Sequence, residues 1–217
     1  MIKAVFFDLD GTLVNSLYDL AQSNNYVLKK HNFEEKQLDE YNYFVGNGIP
    51  KLIERTLPED SRNDKTVNLL KEEFLNYYRL HCTDKTYVYD GIFDLITALK
   101  EKGIIIAVVT NKAQEMAQII VKHFFGDSFD LIIGKSENTK LKPDPSAVNA
   151  AMQSFKVNPR ECIFIGDSNV DVKTAQNCGA VSVGVTWGFR TEKELCDAGV
   201  EYVIEKPNEL LKITEGK

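Results

Sequence analysis

Asp8 and Asp10 stand two residues apart where an apolar run, Val5-Phe6-Phe7, gives way to Gly11-Thr12. Other reactive groups follow later apolar runs: Thr110-Asn111 in "VVTNK", Lys142 in "KLKPDP", and Asp167 in "GDSNVD". Such a set suits phosphoryl transfer. That chemistry needs a nucleophile, a proton carrier, donors for the phosphate oxygens and usually Mg²⁺. Asp8 can be the nucleophile, because carboxylates form aspartyl phosphates. Asp10, pointing to the same side two residues on, can protonate the leaving oxygen and then activate water. Thr110, Asn111 and Lys142 can hold phosphate oxygens. Asp8 and Asp167 offer the hard oxygen ligands that Mg²⁺ prefers.

Each group alone has a plainer reading. Asp10-Gly11-Thr12 and Gly166-Asp167-Ser168 are common turns, Thr110-Asn111 a common helix cap, and Lys142-Pro143 a solvated loop. Their order, and their shared place at strand ends, point to a site.

The elements that must position them are legible as hydrophobic pattern. Near-continuous apolar runs at 2–8, 104–110, 162–167 and 180–186 read as strands buried on both faces, with weaker strands at 129–134 and 201–205. Between them, Ile92, Leu95, Ile96 and Leu99 recur at helical spacing, as do Ala113, Met116, Ala117, Ile120 and Phe124, and Gly103 stops the first of these helices. Alternating strands and helices imply an α/β fold with a Rossmann-like parallel sheet, whose ligands bind beyond the carboxyl ends of the strands. Residues 15–85 break the rhythm. Leu17, Leu20, Ala21, Asn24 and Leu28 form one helical stripe and Val67, Leu70, Phe74, Tyr77 and Tyr78 another. The expected organisation is a core of 1–14 and 86–217 with an inserted all-helical cap of 15–85, hinged near 84–91.

Composition narrows the partners. The chain has 217 residues, a net charge of -6 and 27% charged residues. That acidic balance disfavours a general nucleic-acid or membrane-surface binder and favours a small-molecule partner. No run reaches the roughly 18 apolar residues of a membrane span. The amino terminus does not resemble a secretion signal, so the cytoplasm is the expected compartment. Cys82, Cys162, Cys178 and Cys196 form no CxxC pair and read as reduced thiols, with Cys162 in the core. His31, His81 and His123 are far apart and read as helix-face residues rather than metal ligands.

"DLDGTLVNS", "VVTNK", "KPDP" and "GDSNVD" resemble, in order, the four motifs of haloacid dehalogenase-superfamily phosphatases, and the likeness spans essentially the whole chain. The resemblance implies a mobile helical cap and Mg²⁺-dependent chemistry through an aspartyl phosphate. By it Asp8 is the nucleophile, Asp10 the general acid/base, and Thr110 and Lys142 the phosphate-holding hydroxyl and lysine. It makes Asp8, the Asp10 backbone carbonyl and Asp167 metal ligands, with Asp171 supporting the metal. "YFVGNGIPKLIERTL" and "VSVGVTWGFRTEKEL" are similar to phosphoglycolate phosphatases in particular. Asn15 departs from that pattern, which often has aspartate there.

Gly11 is expected to let the backbone turn, and Thr12 to make local turn hydrogen bonds. In the cap, the flexible Gly46-Asn47-Gly48 stretch and Arg55 are expected to meet the substrate; Lys51 reads as a surface cation. Trp187-Gly188-Phe189 can shape the entrance. The leading expectation is a hydrolase of a small phosphorylated metabolite, with 2-phosphoglycolate the first candidate, acting as a monomer or homodimer. A pyrophosphatase or sugar-phosphate mutase of the same mould is the runner-up. A non-enzymatic phosphoacceptor switch is disfavoured by the paired acids on the first strand and by the large insertion.

Overall fold

The computed structural model describes residues 1–216. Its strands are β1 (Ala4–Phe7), β2 (Val14–Asn15), β3 (Tyr87–Val88), β4 (Ile105–Ala113), β5 (Leu131–Lys135), β6 (Cys162–Gly166), β7 (Val181–Val185) and β8 (Tyr202–Ile204). Six form one parallel sheet in the order β5-β4-β1-β6-β7-β8, and β2 pairs antiparallel with β3. Helices α1 (Leu17–Lys30), α2 (Tyr41–Phe44), α3 (Ile49–Thr56) and α4 (Asp64–His81) lie in sequence between β2 and β3. Helices α5 (Ile92–Glu101), α6 (Gln114–Phe125), α7 (Ser146–Phe155), α8 (Asn169–Cys178), α9 (Glu192–Asp197) and α10 (Leu210–Thr214) accompany the later strands.

The unbroken apolar run of β1 is explained by burial on both faces. Val5 and Phe7 enter one hydrophobic cluster while Ala4 and Phe6 enter another, and all four are fully buried. The chain leaves β1 to build β4 and β5 on one side, then crosses back to build β6, β7 and β8 on the other. The crevice at such a switch is where ligands bind in open parallel sheets. Register brings the chemistry level: Phe7 pairs with Val108 and with Ile165, so Asp8, Thr110 and Asp167 emerge from one sheet edge.

Two expectations need correction. The strand expected to end at Thr110 runs on to Ala113, and its register with β5 slips between Val109 and Ala113. Such an irregularity re-aims side chains at a sheet edge, and here Thr110, Asn111 and Lys112 are all buried. Residues 15–85 are also not helical throughout. Val14 and Asn15 pair with Val88 and Tyr87, so the two linkers form a small ribbon. A non-helical stretch after α1 begins with Asn32 in a left-handed conformation, φ 59°.

Leu17, Leu20, Ala21, Asn24 and Leu28 are buried along α1, as are Leu70, Phe74 and Tyr78 along α4. Their apolar members join the same cluster as Val5 and Phe7, so the inserted helices share a continuous core with the sheet. Asp19 braces the linkers: its carboxylate accepts the Lys85 and Thr86 N–H groups and the Thr86 hydroxyl at 2.7–3.0 Å. The four cysteines are unpaired, and Cys162 is buried in the core. Among the described residues no helix is long and apolar enough to cross a membrane.

Candidate active site

Past β1 the chain turns at once. The Leu13 and Val14 N–H groups both donate to the Leu9 carbonyl, and Gly11 sits at φ +85°. Glycine is required there twice over. A side chain would be strained at that φ, and an added Cβ would lie 2.3 Å from Asp167 Oδ2. Gly11→Ala is therefore expected to lower stability by at least ~1–2 kcal/mol from the backbone alone and to displace Asp167. A thermal melt, with no drop as the contrary result, checks this. Thr12 makes the expected local turn hydrogen bond through its backbone N–H, which donates to the Leu9 carbonyl at 3.3 Å, while its hydroxyl is buried without a hydrogen-bond partner.

The two acids of this turn enter different surroundings. Asp8 Oδ1 accepts the Leu9 N–H at 2.7 Å and faces Lys142 Nζ at 2.8 Å. Asp10 faces Lys112, whose Nζ lies 2.9 and 3.0 Å from its two oxygens, and accepts the Ser16 hydroxyl at 2.5 Å. Lys142 also meets Asp171 at 2.7 Å. The other Asp171 oxygen accepts the Ser168 N–H and hydroxyl, a capping box at the start of α8. Gly166 is needed beneath this cap, because a Cβ there would lie 2.2 Å from Asp171 Cγ. Asp167 accepts the Phe189 N–H at 2.7 Å. Gly188 lets that loop approach, since a Cβ on it would lie 2.3 Å from Asp167 Cβ.

Asp8, Asp167 and Asp171 each place a carboxylate oxygen within 4.8 Å of the others. Burial pushes Asp8 up to about 6; Lys142 opposes this, while Asp171 and Asp10 reinforce it. Burial also holds Asp167 well above the usual carboxylate range, with Asp171 and Asp8 adding to it. For Lys142 burial favours the neutral amine, but Asp171 and Asp8 outweigh it and its pKa rises. Three carboxylates around one ammonium leave excess negative charge in a buried place. A hard divalent cation with oxygen ligands fits that donor set.

Asp8, Asp10, Thr110, Asn111, Lys112, Asp167 and Arg190 line one cleft with Val45, Gly46, Gly48 and Ile49 of the inserted segment. Thr110 Oγ1 accepts the Lys112 N–H at 3.2 Å, so its hydroxyl proton remains for a ligand. Asn111 differs from expectation. Its amide donates to the Gly46 and Lys142 carbonyls and its oxygen accepts the Lys142 N–H, so the side chain ties two loops together and is not free for a phosphate.

Asn47 and Arg55 also differ, for neither lines the cleft. The Arg55 guanidinium donates to the Tyr43 and Phe44 carbonyls and to Asn47 Oδ1, satisfying carbonyls at the end of α2 and fixing the loop behind Gly46. Lys51 is an exposed partner of Glu54. The cation that does reach this part of the cleft is Arg190, from the loop after β7. It donates to the Val45 carbonyl at 2.9 Å and lies over the Tyr43 ring. Neither Arg190 within "WGFRTEKEL" nor Lys112 within "VVTNK" stands out in the sequence, because a lone cation beside a motif has no periodicity to mark it. Tyr78 reads as one more apolar helix position, yet its hydroxyl meets Lys112 at 2.7 Å. Of the Trp187-Gly188-Phe189 stretch expected at the entrance, Phe189 lines the cleft, whereas Trp187 anchors the turn by donating to the Thr12 carbonyl.

Known proteins resemble this chain over nearly its whole length. A phosphoglycolate phosphatase of Mannheimia succiniciproducens is 34% identical over 97% of both chains. One from Colwellia psychrerythraea is 34% identical over 96% of this chain and 95% of its own. A crystal structure from Lactobacillus delbrueckii subsp. bulgaricus, provisionally assigned as a phosphoglycolate phosphatase, matches with a TM-score of 0.93. It is 29% identical and covers 99% of both chains. Residues 5–185 match the haloacid dehalogenase-like hydrolases, and the chain belongs to that family.

Proposed function

We propose that this hydrolase is a Mg²⁺-dependent phosphatase that removes phosphate from a small phosphorylated metabolite, 2-phosphoglycolate first among candidates. The observation that carries the reading is the division of labour between Asp8 and Asp10. One acid lies among carboxylates with Lys142, the other in a separate pair with Lys112. Two acids in contrasting environments suit two roles.

Asp8 attacks phosphorus with the oxygen not engaged by Leu9 and Lys142. The bond from phosphorus to the substrate oxygen breaks, and Asp10, which enters this step carrying the proton regained in the preceding turnover, gives that proton to the leaving oxygen. Asp10, now a carboxylate, takes a proton from water as the water attacks the aspartyl phosphate. Phosphate leaves and Asp8 is restored. Thr110 and the third N–H of Lys142 hold the phosphate oxygens. Asp8, Asp167 and the Asp10 carbonyl would hold Mg²⁺, with Asp171 in support, and the ion would neutralise charge on the nucleophile and phosphate.

The test is phosphate release from 2-phosphoglycolate with Mg²⁺, beside an assay for interconversion of β-glucose 1-phosphate and glucose 6-phosphate with a bisphosphate primer. Phosphate release with negligible sugar interconversion is expected; the reverse makes the chain a mutase. Excess chelator should remove the activity and Mg²⁺ restore it, and Asp167→Ala should raise the Mg²⁺ requirement about tenfold or more. Full turnover in chelator would refute the metal assignment.

A further inference from the structure

Lys112 lies in the cleft, but its donors are taken. An ammonium has three N–H groups. Those of Lys112 are matched by Asp10 Oδ1 at 2.9 Å, Asp10 Oδ2 at 3.0 Å and the Tyr78 hydroxyl at 2.7 Å. The Lys112 side chain is 2% exposed. Lys142 differs, since its two carboxylate partners leave one donor for a ligand. Lys112 is therefore placed to hold Asp10, not phosphate.

The terminal torsion of an aspartate is soft, whereas proton transfer needs the carboxyl oxygen within hydrogen-bond reach of the leaving oxygen. Something outside Asp10 must fix that torsion. Lys112 spans both carboxylate oxygens, and Ser16 pins one of them. Among the described residues Lys112 in turn has one side-chain hydrogen-bond anchor that is not Asp10: Tyr78 on α4, fully buried and stacked on Phe74. The ammonium thus bridges a helix of the inserted segment and the acid at the end of β1.

We propose that Lys112 and Tyr78 are positioning residues that orient Asp10 for proton transfer, with Tyr78 fixing the ammonium and the ammonium fixing the carboxylate. This rests on the reading of Asp10 as the proton carrier. It makes a demand that simple packing does not. Loss of the Tyr78 hydroxyl should hurt most where the leaving oxygen needs a proton, and little where it departs unaided.

The experiment compares kcat/KM of the unaltered chain and Tyr78→Phe on 2-phosphoglycolate, phenyl phosphate and p-nitrophenyl phosphate, all with saturating Mg²⁺. Because kcat/KM covers only steps up to loss of the leaving group, later hydrolysis of the aspartyl phosphate does not blur it. Tyr78→Phe should lose about tenfold on 2-phosphoglycolate, less on phenyl phosphate and under about twofold on p-nitrophenyl phosphate, whose phenol is acidic. Lys112→Gln should show the same gradation more steeply. Ratios between substrates are taken within one preparation, so a partly folded variant does not distort them. Equal losses on all three substrates, or no loss on any, would overturn the positioning role. Turnover of both aryl phosphates but not 2-phosphoglycolate by the unaltered chain would remove the substrate assignment alone, and the two aryl phosphates would still judge Tyr78. No turnover of any would end the phosphatase reading and this role with it.

Discussion

Asp8→Asn should reduce phosphate release by ~10⁴-fold or more, because the amide cannot form the aspartyl phosphate. The same change should leave the metal-free protein at least as stable as before. Asp8 is raised to about 6 by burial, partly offset by Lys142 and reinforced by Asp171 and Asp10. A carboxyl raised in the folded state favours folding while protonated and loses that contribution as pH rises through the folded pKa. Asparagine mimics the neutral form. Its advantage should be absent at pH 3, grow between about 4 and 6, and be complete above 6. Melting curves in chelator across that range, beside turnover with Mg²⁺ at neutral pH, check both halves. Near-normal Mg²⁺-dependent turnover would remove the covalent mechanism. A loss of stability at neutral pH would show that Asp8 is held by its partners more than it is strained by its neighbours.

Asp10→Asn should also cost catalysis, by ~10²–10⁴-fold, the usual worth of a positioned proton carrier. Its effect on stability should have the opposite sign. Asp10 is the carboxylate partner of Lys112, and their side chains are 14% and 2% exposed. Removing one member of such a pair leaves a buried charge uncompensated, at a cost of about 3–5 kcal/mol. Two adjacent Asp→Asn changes are thus expected to be alike in turnover and opposed in melting temperature. Parallel thermal shifts in the two variants would contradict this account of their surroundings.

The amino-acid sequence determined the sheet and most of the chemistry. An unbroken apolar run ending in two acids reads as a buried strand that delivers them to an edge, so β1 and Asp8 were legible at once. Asp167 and Thr110 were legible as polar groups that follow apolar runs, although β4 carries Thr110 on within the sheet to Ala113, and Lys142 was legible only through its place in "KLKPDP". The helical stripes of 15–85 were legible from periodicity, as Leu20, Leu28, Phe74 and Tyr78 illustrate.

What only the tertiary structure decided is how each polar group is partnered. Asn47 and Arg55 carry the chemistry of substrate ligands, but Arg55 is consumed by carbonyls at the end of α2. Asn111 looks like a phosphate donor, but both ends of its amide bind loop backbone. The bonds from Lys112 to Tyr78, from Arg190 to Val45 and from Asp19 to Lys85 leave no pattern in the sequence, because they join residues 34, 145 and 66 apart. Apolar burial repeats with a local period and can be read from it. A hydrogen bond depends on one donor meeting one acceptor in space, and the fold alone brings those two together.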